Sequence, residues 1–456
     1  MKKYLIIFLI IALTATGCEK KLDVAPTQSI AQDLALLTEG DVLVTLIGAY
    51  DGLQGVSAYG GEIMLMNELM GNQDDIRFTG TFSGLSDAYK LEMAAPNGFA
   101  LGIWAQCYNT INRCNNVLSA LDKIVSSPAT KSRVEGEALF IRSALYFELV
   151  RLFAKTWGDG SNQTNPGVPI ILTPTKFISP DDYKARSSVA EVYQLVIADL
   201  TKAETLLPAT NSIYATKNAA AATLSRVALM QADYPAARDA AHRVITSGRH
   251  TLSSTFAGLW YTFINNAGNS PSEYIFSMKV TNQDGANALN TYFGINVGAG
   301  SGTAGRGDCK ILAAHLAKYE PGDARGSYFF LVGVNNYTRK HLDRFGNVCV
   351  VRLAEMYLTR AEANFRLATS TGQTPLADVN LVRNRSTLIN LVTVDLPAIL
   401  KERYLETAFE GNRLHDIKRT RGTQSGTIWS SPKLILPIPQ REMDVNLKLV
   451  QNEGYF

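Results

Sequence analysis

The run SSVAEVYQLVIADLTKAETLLP shows the dominant pattern of this chain. Val189, Tyr193, Val196, Leu200, Ala203 and Leu207 recur at spacings of four and three, which places one apolar stripe on an α-helix. Ser188 with Glu191 makes a capping-box signature at its start, and Pro208 ends it. VEGEALFIRSALYFELVRLFAKTWGD repeats the pattern through Ala138, Ile141, Leu145, Leu149 and Leu152, and the glycines of TWGDG predict its stop. In AAATLSRVALMQADYPAARDAAHRVITSG a small-residue-rich helix meets a turn at ADYP. Pro235 suits the opening of a second helix through Ala237, Ala241 and Val244. Alanines on facing sides let two such helices approach closely, as in tetratricopeptide-type hairpins. VVRLAEMYLTRAEANFRLA adds a helix with Ala354, Leu358, Ala361, Phe365 and Ala368 along one side.

These hairpins share no strict period. The pattern therefore predicts an all-α scaffold of tetratricopeptide-like helical hairpins with degenerate repeats and long irregular loop inserts. One insert is GNQDDIRFTGTFSGLSDAYKLEMAAPNG. The other runs from about Ser253 to Asp308, through NNAGNSPSEY and GINVGAGSGTAGRGD. Long loops on a rigid scaffold are usually functional or disordered.

The first residues follow a different pattern. Lys2 and Lys3 precede ten apolar residues, Tyr4 to Leu13. A membrane span needs about 20, so this run fits the core of a secretory signal. Ala15, Thr16 and Gly17 then lead to Cys18, which resembles a bacterial lipobox with Ala15 where leucine is usual. Residues 1–17 are expected to be a lipoprotein signal peptide and Cys18 the lipid-attachment site, with palmitate among its acyl chains. Two or more chains give stable anchoring where one is marginal. The alternative is ordinary cleavage beside a chance cysteine.

Composition narrows the function. Starting at Cys18 removes Lys2 and Lys3 and no acidic residue, so the formal charge falls from +3 to +1. A near-neutral chain offers no basic field for nucleic acid or anionic lipid. With 46% apolar and 19% charged residues it suits a globular protein with a sizeable core. Its 456 residues have room for two or three domains or one large helical array. Cys107 and Cys114 are seven apart in a helical stretch. They stand about 10.5 Å apart along the axis, beyond disulfide reach. No CxxC, HExxH or ligand-spaced His/Cys set occurs, so no metal or cofactor is expected.

Several motifs look chemical and are set aside. Gly300, Gly302 and Gly305 match GxGxxG between a strand-like TYFGINV and a helix-like CKILAAHLAKY, but no parallel βαβ unit surrounds them. Ser430 and Lys433 fit SxxK without its SDN and KTG partners, and Pro432 breaks the helix such a serine opens. His242, His250, His315, His341 and His415 are scattered. In KERYLETAFEGNRLHDIKRTRG, Glu402, Glu406 and Glu410 fall at helical spacing with Arg403, Arg413, Asp416 and Arg419 around them. Paired carboxylates suit acid/base chemistry. Alternating sign instead favours a buried charge network that ties the C-terminal helix to the core.

Many segments, in order, resemble the SusD/RagB family of outer-membrane lipoproteins. GCEKKLDVAPTQ looks like its lipidated start, and GEALFIRSALYFELVRLFAKTWGD followed by GVPI is similar to its hallmark helix and loop. ARSSVAEVYQLVIADLTKAETLLP follows, YEPGDAR carries a D.R turn at Asp323 and Arg325, and VVRLAEMYLTRAEA and ERYLETAFEGNRLHDIKR match internal signatures. LILPIPQREMDVNLKLVQNEGY is like the C-terminal pattern, with Leu447 where proline is usual. The resemblance implies a single α-helical domain over 18–456, with an N-terminal part at about 18–230 and a C-terminal part at about 255–456. It implies four tetratricopeptide-like hairpins opposite a loop-rich ligand face. It also implies a lid on a SusC-like TonB-dependent transporter, anchored through Cys18 in the outer membrane and facing the exterior. Such a protein captures a glycan, or an oligopeptide in the RagB branch, and cleaves nothing.

Sugars present apolar C–H faces that stack on aromatic rings, while polar side chains hold their hydroxyls. Phe82, Tyr89, Trp260, Tyr261 and Tyr292 in the inserts are the candidate rings, with Asp75 and Arg77 as candidate hydrogen-bonding groups. The competing role for each is packing of a loop against the scaffold. Trp104 and Trp157 read as scaffold residues. Three functions stand side by side: a surface glycan-binding lipoprotein, an oligopeptide-binding relative, and a surface glycoside hydrolase using Glu402 or Glu406. Exposed aromatic platforms favour the first and a deep closed cavity the second. A buried, arginine-paired Glu406 removes the third.

Overall fold

The computed structural model describes residues 36–175, 179–262, 264, 267–296 and 305–455. Cys18 and the leader lie outside them, as do Gly300 and Gly302 of the GxGxxG match. Helices α1 (Glu39–Gln54), α2 (Glu62–Gly71), α3 (Ser83–Lys90), α4 (Gly98–Ser119) and α5 (Pro128–Phe153) build the first part. Next come α6 (Val189–Leu206), α7 (Lys217–Met230) and α8 (Tyr234–Thr246), and, after the second insert, α11 (Leu353–Leu367), α12 (Pro375–Arg385), α13 (Leu396–Glu406) and α14 (Arg413–Arg419). Between them the second insert holds α9 (Ala288–Phe293), and α10 (Ala313–Leu316) follows it. Helix packs on helix in sequence: α1 on α4, α4 on α5, α5 on α6, α6 on α7, α7 on α8, then α8 on α11 and α11 on α12 and α13. Neighbour-to-neighbour stacking is how a helical array buries faces that no hairpin can bury alone.

Local signals act where the sequence puts them. The Ser188 hydroxyl caps α6 and Glu191 returns the bond to the Ser188 N–H at 2.7 Å. Asp233 caps α8, with Pro235 in its first turn. Ala219–Ala222 on α7 and Ala237, Ala240 and Ala241 on α8 are buried. On α11 the stripe fades: Ala354, Leu358 and Ala361 are buried, but Phe365 is 37% exposed.

Helix α5 is buried on every side from Phe140 to Phe153, which marks it as the central helix. Its charged residues are paired: Arg142 grips Asp199 at 2.8 and 3.0 Å, and Arg151 donates to Glu148. It ends at Phe153, short of the glycines expected to stop it, because its last carbonyls find partners elsewhere. Lys418 donates to Arg151 O at 3.0 Å, the Leu436 N–H to Leu152 O at 2.7 Å, and Arg186 and Asn452 to Phe153 O at 3.0 and 2.8 Å. Open helix-end carbonyls need such donors. The C-terminal segment thus locks the central helix.

The inserts carry more order than expected. Strand β1 (Ile76–Phe78) of the first insert pairs antiparallel with β3 (Cys309–Ile311), in a sheet of order β1-β3-β5-β4 with β5 (Asn335–Thr338) and β4 (Phe329–Val332). A second pair joins β2 (Tyr274–Met278) to β6 (Val348–Arg352). The strand-like TYFGINV begins in α9, which ends at Phe293, and Ile295 then forms an isolated bridge with Arg306, while the helix-like CKILAAHLAKY is β3 followed by the short α10. Trp104 is buried against Phe153, and Trp157 packs on Tyr193. Among the described residues no helix is long and apolar enough to cross a membrane.

Candidate functional site

The first insert delivers one aromatic ring to the surface. After β1, the Thr79 N–H donates to Asp308 O at 2.8 Å. A Cβ on Gly80 would lie 2.5 Å from Phe78 Cζ and 2.7 Å from an Asp308 carboxylate oxygen, so a larger residue there would have to push these side chains aside. The chain then presents Phe82 at the start of α3 with 41% of its surface open. Asn97 fixes the neighbouring helix start: its side chain accepts from the N–H groups of Phe99 and Ala100 at 3.0 and 3.1 Å and donates to Gly84 O at 2.9 Å. Such a cap is worth about 1 kcal/mol.

Phe82, Phe99, Asn97, Asp87, Glu62 and Ser57 line an open groove of about 450 Å³. Glu62 is buried, which raises its pKa, and the Ser57 hydroxyl donates to it at 2.5 Å. Tyr292 comes from α9, which docks on α2 at Gly61. That residue has φ +133°, and a Cβ there would strike Ala288 at 2.8 Å. The Tyr292 ring meets Phe82 edge-on at 6.1 Å and 75°, and Phe99 meets it at 6.0 Å and 77°. Burial pushes the Tyr292 phenol up to about 12, so it stays a neutral donor. The Arg306 guanidinium sits 4.8 Å from the Phe82 centroid, held by Asp308 at 2.8 Å and the Thr81 hydroxyl at 2.9 Å. An exposed ring framed by hydroxyl, carboxylate and guanidinium groups can stack a flat apolar face and hydrogen-bond its edges.

Phe82 and Tyr292 are thus brought together; the other sequence candidates are not. Arg77 is exposed on β1 and donates to Asn335 at 3.0 Å. Tyr89 is half-buried; its hydroxyl donates to Ile76 O at 3.0 Å, bracing β1. Asp75 is fully buried and accepts from Lys318 and Tyr404, with His315 at 3.4 Å, so it is not a loop carboxylate waiting for a ligand. Trp260 corrects another expectation. It is 5% exposed and packs with Phe256 at 5.8 Å and Tyr328 at 6.5 Å, because the insert folds back into an apolar cluster that Tyr328 completes. Tyr292 is buried too, so it supports the Phe82 ring instead of offering its own face. Tyr261, half-buried beside Trp260, lines an interior cavity of about 30 Å³ with Lys340 and His341, room for a water and not for a sugar.

Glu62, Asn97, Phe99 and Arg306 escaped the sequence reading. Asn97 before a helix was a legible cap and Arg306 a lone cation in GRGD. Nothing in EIMLMNELMG marked Glu62 as facing a groove.

The charged run near the C-terminus is interior. Arg352 donates to Glu410 at 2.8 Å, to Glu406 at 2.5 Å and to Glu273 at 2.9 Å, while Arg325 and Arg385 also reach Glu406. Arg325 joins Asp323 at 2.7 Å and Glu402, and Lys340 donates to Glu410 at 2.6 Å. Arg403 bridges Glu355 and Asp416, each at 3.1 Å, and Arg419 bridges Glu362 at 2.8 Å and Asp416 at 2.6 Å. Arg413 lies over the Tyr404 ring at 4.4 Å. Burial pushes Glu406 up, but Arg385, Arg352 and Arg325 outweigh it and hold the carboxyl well below the usual range. A carboxylate so held cannot donate a proton, and neither it nor Glu402 lines the groove. Among the described residues no cluster of three His, Cys, Asp or Glu side chains could hold a metal ion.

A stacked-helix scaffold that presents an open groove, built from helix starts and the turns before them, beside an exposed ring has the form of a helical binding protein. Residues 43–229 match the SusD-like family model described as starch-binding and associating with the outer membrane, and residues 330–430 match the SusD family model. This chain belongs to the SusD/RagB family. SusD-like protein P2 of Formosa agariphila is 26% identical, with both chains covered completely. The starch-binding protein SusD of Bacteroides thetaiotaomicron is 33% identical over 123 residues, 24% of this chain and 22% of that one. A SusD superfamily crystal structure from the same species superposes with a TM-score of 0.77 at 25% identity, covering 91% of this chain and all of the other.

Proposed function

We propose that this protein captures a glycan at the outer face of the outer membrane and passes it to a SusC-like TonB-dependent transporter. The observation that carries this reading is the Phe82 ring, open to solvent and framed by Arg306, Tyr292 and the polar groove of Glu62, Ser57 and Asn97. Family membership and the starch-binding relative support it. An open groove suits a chain of sugars, since a polymer can enter and leave sideways. The ion-paired Glu406 fits capture without cleavage. An acylated Cys18 would keep the protein at the barrel.

The test is affinity electrophoresis of protein starting at Glu19 against neutral polysaccharides and, in parallel, a peptide pool. Retardation by one polysaccharide class that Phe82→Ala strongly weakens is the expected result. Binding of peptides alone would move the protein to the oligopeptide branch and refute the glycan reading. For the anchor, wild-type protein should incorporate a palmitate analogue in cells and Cys18→Ser should not.

A further inference from the structure

A second cleft, of about 610 Å³, opens between the loop 209–216, which joins α6 to α7, and the segment 268–279 leading through β2. Ile275 and Phe276 of β2 are among its lining, and most of the rest of the lining carries hydroxyls and amides. The Ser270 and Ser277 hydroxyls are 2.8 Å apart, and Asn347 donates to Ser270 at 2.9 Å and to Gly268 O at 3.0 Å. Tyr214 lines one wall, held by its ring contact with Tyr50 at 4.6 Å. Among the described residues, Arg249 and Lys279 are the formally charged side chains that line this cleft, and no carboxylate joins them. Arg249 is exposed and Lys279 half-buried, and neither forms an ion pair with a described residue. His250, the remaining titratable wall residue besides the tyrosines, has Nδ1 3.1 Å from Ser272 O, and burial lowers its pKa.

A cation close by in sequence is neutralised in place. Arg243 on α8, six residues before Arg249, is gripped by Glu204 at 2.7 and 2.8 Å. Two uncompensated cations over a wall of hydrogen-bonding groups, with no carboxylate to repel an anion, form a complementary surface for a polyhydroxylated anion. The guanidinium offers a planar fork for an oxyanion and the ammonium a point charge. We propose that this cleft is a second ligand subsite, which takes the carboxylate or sulfate group of an anionic oligosaccharide between Arg249 and Lys279. The proposal rests on the glycan reading of the protein and extends it from neutral stacking at Phe82 to charge selection at a separate place.

The test compares binding of dextran sulfate, polygalacturonate and unmodified dextran at 50 mM and 300 mM salt. Proteins are wild type, Arg249→Ala/Lys279→Ala, Phe82→Ala, and a control, Lys433→Ala/Lys448→Ala, that removes two exposed lysines outside the cleft. The expected result is that wild type binds at least one anionic polymer. The cleft variant should bind it at least tenfold more weakly with an unchanged melting temperature, and the control should stay within twofold. Preference for dextran sulfate identifies a sulfate ester as the recognised group, and preference for polygalacturonate a carboxylate. Equal binding by the cleft variant and wild type overturns the proposal, as does failure of wild type to bind either anionic polymer. Loss of anionic binding in Phe82→Ala but not in the cleft variant would move the charge selection to the Phe82 groove and leave the glycan reading standing. Binding of none of these polymers, together with binding of peptides alone in the affinity-gel test above, would sink both.

Discussion

Arg352 and Arg306 lie in regions that treat the same side chain in opposite ways. Arg352 is 1% exposed, and all five of its N–H donors have acceptors on Glu273, Glu406 and Glu410. Arg306 is exposed, uses Nε on Asp308 and Nη2 on Thr81, and spreads its face over Phe82. Its Nη1 has no acceptor among the described residues. A saturated guanidinium fixes the fold and offers nothing to a ligand. A guanidinium with one arm anchored and one free is positioned and still available. The aromatic rings divide in the same way: Trp260 is enclosed by Phe256, Tyr328 and His341, while Phe82, held by Phe99, Tyr292 and Arg306, keeps part of its surface open. Availability after the structure has taken what it needs, more than residue type, separates a binding group from a structural one.

The largest effect expected from breaking this contrast is at Glu406. Glu406→Ala leaves Arg325, Arg352 and Arg385 short of a shared buried partner, and removing one member of such a pair costs about 3–5 kcal/mol. Chemical denaturation should show that loss, or no folded protein should be recovered. Acid acts on the same network. Burial works against the charged forms, but arginines hold Glu406 and Glu410 below the usual range and bring Glu355 down to about 2. Unfolded glutamates titrate near about 4.3, so below that pH the unfolded chain binds more protons than the folded one. The stability from these groups is complete above about pH 5 and drains away as the pH falls toward 2. The melting temperature should therefore drop steeply between pH 5 and pH 3.

At the groove the effects move from stability to affinity. Phe82→Ala should weaken glycan binding by about 1–2 kcal/mol, roughly tenfold, as truncation of an aromatic anchor does. Its melting temperature should stay near wild type, because the ring is partly exposed. Arg306→Lys keeps the charge but loses the fork that holds Asp308 and Thr81. Titration calorimetry should show a smaller loss, about threefold. An equal loss of affinity and stability in Phe82→Ala would place that ring with Trp260 among the structural aromatics.

The helical scaffold was legible because its signals are local. Ser188 with Glu191, Pro235 after Asp233, and the alanines of α7 and α8 each act within a few residues. The charged run at 402–419 read as a network from its alternating signs, but Glu273, Arg352 and Arg385, which complete it, lie in separate segments that only tertiary packing brings together. The groove was half legible. Phe82 and Tyr292 stood out as insert aromatics, whereas Phe99 and Glu62 open ordinary-looking helices. Trp260 looked like Phe82 in sequence. What buries it is its fold-back onto Phe256 and Tyr328, which residue type does not encode.

The most direct test is a crystal structure of the protein bound to an oligosaccharide of the polysaccharide class it retains in affinity gels. A sugar ring stacked against Phe82, with a hydroxyl within hydrogen-bond distance of Arg306 Nη1, is the predicted result. A sugar bound elsewhere, with the Phe82 groove empty, would contradict it.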